Sequence, residues 1–218
     1  LTGHLESEST VAMGANSTMT GNVIAATTVA LGAEANVTGD INAGSTIAVG
    51  AKAVVTGILT ATTTVALGAG AEMTGNIDAG STVALGADAT VTGSVLAETT
   101  VALGADATVT GNVESKSSSI TVGVKSHLGG TINAAMSVTL SAGASSCGTV
   151  EAPTATLGAS ALVQENIEAI TVTLAADSYV IGKLSATTTT LGAGVCYGSK
   201  GEEGILTLTE GAGAGSCG

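Results

Sequence analysis

Aliphatic residues along the chain fall in pairs separated by one residue, and the pairs recur about every six positions: Val83 and Leu85, Ala89 and Val91, Val95 and Ala97. An alternation with period two puts successive side chains on opposite sides of an extended backbone, so each pair predicts a short strand with one buried side. Three pairs fill eighteen residues before the pattern restarts. The block TVALGADATVTGSVLAET from Thr82 runs directly into TVALGADATVTGNVESKS from Thr100. Earlier copies begin at Thr10, Thr28, Thr46 and Thr64; more divergent ones begin at Ser119, Ser137, Thr154, Thr171 and Thr188, and a partial copy at Ile205. A fixed period of this kind marks a solenoid, in which each repeat buries its apolar side against its neighbours.

Gly86 and Gly93 stand between the pairs, where a corner needs an unhindered backbone, so each repeat predicts a triangular coil. The expected fold is all-β: a three-sided parallel β-solenoid with about 18 residues per coil, about 12 rungs and little or no helix. Coils stacked ~4.8 Å apart give a rod of roughly 53 Å. One core ladder runs Val11, Val29, Ile47, Val65, Val83, Val101, Ile120 and Val138; another starts at Met13 and Leu31 and ends at Leu191 and Leu208. Helix is disfavoured because β-branched residues and Gly recur throughout and no stripe with a 3.6-residue period appears. Residues 1–198 are assigned to the coils, and 199–218 to a last rung and a Gly-rich cap of the same domain.

Composition narrows the function. With 32 Gly, two Tyr and neither Phe nor Trp, the core must be aliphatic and thin. The net charge is -12, from 17 acidic residues against five Lys and no Arg. Such a surface has no basic patch for nucleic acid and is repelled by an anionic membrane, so neither is expected as a partner. No apolar run reaches the ~18 residues of a membrane-spanning helix.

Enzyme chemistry finds little support, and no cofactor or metal is expected. His4 and His127 lack a loop excursion that would build a pocket, and two His cannot supply a three-His metal centre. Asp88 and Asp106 occupy equivalent positions in successive coils and read as a solvated corner. The Gly-rich turns lack the Lys-Ser/Thr of a phosphate loop. Asn16-Ser17-Thr18 and Asn36-Val37-Thr38 match glycosylation sequons, as a Thr-rich repeat does by chance.

The outward columns of the first strand carry the functional expectation. The leading column reads Thr10, Thr28, Thr46, Thr64, Thr82, Thr100, Ser119, Ser137, Thr154, Thr171 and Thr188. Its companion holds Ala in the first six copies, then Thr121, Thr139, Thr156, Thr173, Thr190 and Thr207. Neither column contains a charge. Hydroxyls ~4.8 Å apart along the stack and ~7 Å apart across each strand form a rigid lattice, and a rigid surface loses little conformational entropy on meeting a repeating ligand. Ice with its ordered surface water is such a ligand, so this face is expected to adsorb to ice crystals and stop their growth.

The hexads LGADAT, VTGSVL and AETTVA resemble the hexapeptide-repeat pattern of left-handed β-helices, and the eighteen-residue coil is similar both to bactofilin filaments and to microbial ice-binding (antifreeze) solenoids. The Thr-x-Thr rows of the second half resemble those of antifreeze β-solenoids; Thr-x-Ala in the first half departs from them. The bactofilin resemblance implies the alternative function, a structural subunit stacking end to end into an extracellular or cytoskeletal filament. Leu1 to Leu5 align with Met19 to Val23, which predicts an open first rung available for self-association. Cys196 and Cys217 flank the irregular C-terminal segment and are expected to form a disulfide, leaving Cys147 free or intermolecular. That disulfide, in a chain with no visible targeting segment, leads to the expectation of a secreted protein.

Overall fold

In a computed structural model that describes residues 1–200 and 207–216, the chain is a three-sided parallel β-solenoid with no helix among those residues. First-face strands such as Thr82–Leu85, second-face strands such as Thr90–Thr92 and third-face strands such as Val95–Ala97 follow one another around each coil. Each pairs in parallel with its equivalents one coil before and one coil after: Val83 lies between Val65 and Val101, Val91 between Met73 and Val109, and Val95 between Ile77 and Val113. Twelve first-face segments make about eleven turns. Near the C-terminal end the strands lengthen and wrap around corners, as in Ile167–Leu174 and Tyr179–Leu191.

The paired aliphatic residues all point inward. Val83, Leu85, Ala89, Val91, Val95 and Ala97 are at most 4% exposed, and their equivalents form one core running the length of the rod. Alternating small Ala with branched Val, Leu and Ile fills the triangular section, and near the C-terminal end Tyr197 takes the inward position that Val180 holds one coil earlier.

The corners explain the remaining sequence pattern. After the first face, Ala89 N–H donates to the Gly86 carbonyl at 3.3 Å and Asp88 adopts φ 59°, a tight turn with a left-handed third residue. Asn16, Glu34, Lys52, Asp106, Lys125, Ser160 and Asp177 take the same conformation in other coils. Non-glycine residues there cost about 1 kcal/mol each. The amide of Asp88 recovers a hydrogen bond, donating to the Ala105 carbonyl of the next coil at 2.9 Å. After the second face the regular coils use glycine, and Glu165 takes the place only in a divergent later coil. Gly21, Gly39, Gly57, Gly75 and Gly93 have φ between 128° and 147°, and a Cβ on any of them would come within 1.9–2.4 Å of the carbonyl oxygen of the glycine one coil earlier.

Two changes in coil length are absorbed at the corner after the third face, and a third register shift falls between Val180 and Lys183, at the corner after the second face. The pairing Val95↔Val113 is followed by Val101↔Ile120, one residue longer, so the extra residue lies in the Ser115–Ser119 corner. Asn133↔Glu151 is followed by Ser137↔Thr154, one residue shorter, at the corner that contains Pro153.

The last rung departs from expectation. Thr207 pairs with Thr188, Leu208 with Thr189, Thr209 with Thr190 and Glu210 with Leu191, so the rung begins two residues later than the predicted start at Ile205. Thr207 therefore continues the leading column and not its companion, and Glu210 brings an acidic residue onto a first-face strand. A slip of two keeps the in-out parity of each residue but sets Glu210 in place of Leu208 opposite buried Leu191, so the hydrophobic pattern points to the earlier register. Residues 201–206 and Cys217–Gly218, much of the expected cap, lie outside the described residues, as does one partner of the expected Cys196–Cys217 disulfide.

Two substitution tests follow from this geometry. Gly93→Ala should lower stability by about 2 kcal/mol or more, whereas Gly70→Asn should be nearly neutral in thermal melts. Gly70 has the left-handed φ of 64° that Asn tolerates, and the nearest atom to an added Cβ is Lys52 Cγ at 3.5 Å, an ordinary contact. In addition, the hydroxyl of fully buried Thr189 has no partner, so Thr189→Val should raise the melting point, by an amount corresponding to about 1 kcal/mol.

Candidate functional site

The first face carries the regular surface singled out from the sequence. Thr28, Thr46, Thr64, Thr82 and Thr100 stand in direct register, as do Ser119, Ser137, Thr154, Thr171 and Thr188 farther along. Thr121, Thr139, Thr156, Thr173 and Thr190 form the companion column. Most of these side chains are half-buried between their neighbours.

Several of their hydroxyls are engaged within the protein. Thr10 Oγ1 meets Thr27 Oγ1 at 3.1 Å, Thr46 Oγ1 meets Thr63 Oγ1 at 3.4 Å, and Ser137 Oγ donates to Ser119 Oγ at 2.7 Å. At the adjoining corner Thr63 and Thr99 donate to the carbonyls of Ser45 and Ser81, both at 3.0 Å. This network stitches coil to coil along one edge of the face.

A second ladder, which the hydrophobic reading missed, runs along the opposite corner. Asn22 Oδ1 accepts from the Asp40 amide at 3.0 Å and Asp40 Oδ1 from the Ile58 amide at 2.8 Å. Asn76 Oδ1 accepts from Ser94 N at 2.9 Å, Asn112 Oδ1 from Thr131 N at 3.0 Å and Asn166 Oδ1 from Lys183 N at 2.8 Å. The signal in the sequence was the amide or carboxylate that follows the corner glycine, as in Gly21-Asn22, Gly39-Asp40 and Gly75-Asn76. Its side-chain oxygen satisfies a backbone donor that the sharp corner turns away from the sheet.

The third face between these corners is acidic and shallowly grooved. Asn76, Asp78, Ser94, Leu96, Asn112 and Glu114 line the groove. Nearby, Lys116 Nζ lies 2.6 Å from Glu98 Oε1. The hydrogen bond and attraction from Glu98 raise the Lys116 pKa above its ordinary value, against a small opposing effect of burial, with Asp78 and Glu114 adding to the rise. The ammonium group is fully exposed, so this pair is a surface feature and not a source of stability. Asp88 and Asp106 are both exposed at their corner. Among the described residues no group of three or more His, Cys, Asp or Glu is placed to hold a metal ion.

A family model described as "Bactofilin: Polymer-forming cytoskeletal" matches residues 31–127. Neither a curated protein nor a solved structure matches the chain. The family match overturns two expectations. It favours the filament alternative over adsorption to ice through the Thr10–Thr207 columns, removing ice as the partner, and it points to a cytoskeletal class of protein where the cysteine argument pointed to secretion. In physical terms, regular Thr columns also arise when hydroxyls bridge coils within the protein, as at Thr46 and Ser137. Repetition by itself therefore did not identify a repeating ligand.

Removing one acceptor from the corner ladder tests its structural role. Asn112→Ala should cost about 1 kcal/mol in a denaturant titration by leaving the Thr131 amide without its side-chain partner.

Proposed function

We propose that the chain is a non-catalytic structural subunit that assembles end to end with copies of itself into a filament. The observation that carries this reading is the match to a polymer-forming cytoskeletal family over residues 31–127, a stretch that includes the most regular coils. The architecture supports it. All strand pairing among the described residues is parallel and runs along the rod, so the open edge of a rung offers a backbone geometry that a rung of another copy can continue.

Electrostatics sets the conditions. Copies carrying a net charge of -12 repel one another, and raising the ionic strength shortens the range of that repulsion. The neutral first face and the mixed corner column of Glu34, Lys52, Asp88, Asp106 and Lys125 leave part of the circumference free of a continuous acidic field.

Sedimentation and negative-stain microscopy of the purified chain should show thin filaments without added nucleotide or metal. The pelleted fraction should rise with salt, and oriented fibres should give a strong axial diffraction spacing of ~4.8 Å. A chain that stays monomeric across concentration and ionic strength sinks the proposal.

A further inference from the structure

His127, Ser145 and Cys147 meet on the outer side of the second face. His127 and Ser145 are partners in register on adjacent coils, and Cys147 follows Ser145 by two residues. His127 Nδ1 lies 2.8 Å from Ser145 Oγ, and its Nε2 lies 3.7 Å from Cys147 Sγ. Cys147 N–H donates to the Leu128 carbonyl at 2.8 Å, which sets Gly129 beside Cys147 on the neighbouring coil. With no side chain at Gly129, the imidazole has a clear path across to the sulfur. Cys147 is half-buried and His127 exposed, so a small reagent can reach the pair.

We propose that Cys147 is a modification site in which His127 activates the thiol toward small-molecule disulfides. Nε2 takes the thiol proton, while Nδ1–H donates to Ser145 Oγ, making Ser145 the positioning residue for the ring. The resulting thiolate attacks one sulfur of the disulfide. A new S–S bond forms at Cys147 as the original S–S bond breaks, and the departing half leaves as a thiolate that collects the proton from the imidazolium. Cys147 is oxidised and the small disulfide reduced, with no other electron carrier involved. This inference is independent of filament assembly.

The surroundings leave the imidazole as the group that controls the thiol. The neighbouring outward positions on the coils before and after hold Thr108, Thr110, Leu162 and Gln164, none of which carries a charge. Lys125 sits at the turn before His127, and Glu165, which accepts from Thr149 Oγ1 at 3.1 Å, follows Gln164.

The test uses the full chain with oxidised glutathione and, separately, iodoacetamide, following the Cys147 peptide by mass spectrometry from pH 5 to pH 9. At pH 7 the unaltered chain should react about tenfold faster than His127→Ala, and the two pH profiles should differ. Ser145→Ala should shift the pH profile part of the way, and Ser145→Thr should restore it. Thermal melts check that each variant is folded, and His127→Gln provides the same comparison if His127→Ala does not fold. Equal rates and superimposed pH profiles for the unaltered and His127 variants overturn the proposal.

Discussion

Backbone hydrogen bonds directed along the rod hold this molecule together. In a globular domain a strand finds partners on either side within a finite sheet; here every coil depends on the coil before and the coil after, in parallel and in register. That requirement dictates the composition. The coil admits small and branched aliphatic residues at most of its inward positions, and the close approach of successive turns favours glycine where one backbone passes directly over another, as at Gly75 over Gly57. Among the described residues, non-aromatic side chains fill all but one of the inward apolar positions, the exception being Tyr197 near the C-terminal end, and the abundance of glycine follows from the stacking.

The same constraint separates what can vary from what cannot. A residue added near Ser118 or lost near Pro153 leaves the core columns aligned, because both events fall at the corner after the third face. The glycine corner is closely packed in the regular coils, and it departs from that pattern only near the C-terminal end, where Glu165 takes the glycine position and the register shifts between Val180 and Lys183. Polar residues act as auxiliaries to the backbone: Asn22, Asn76, Asn112 and Asn166 each bond an amide one coil away.

Nearly all of the fold was legible in the sequence, because period-two alternation nested within an eighteen-residue repeat has one economical geometric solution. Inward residues such as Val83, Val91 and Val95 lie where the alternation put them. The last rung was misplaced by two residues, since the hydrophobic pattern favoured Leu208 opposite Leu191 where the structure pairs Glu210. Function was less legible. A column of Thr looks the same whether its hydroxyls face a ligand or bridge one coil to the next, and composition does not report those bonds. The approach of His127 to Cys147 was also hidden, because the two residues are twenty positions apart and meet through coil stacking and the absent side chain at Gly129.

The left-handed corner has a further consequence. At that position the chain has accepted Asn, Glu, Lys, Gly, Asp and Ser with the turn preserved, and the Cβ direction leads away from the packed interior. The rod thus carries a graduated strip, one mark per coil, on which acid, base, amide or hydroxyl can be exchanged without disturbing stiffness or thickness. A lineage, or a designer, could rewrite how the surface interacts with its surroundings along this seam while leaving the mechanics of the shaft untouched.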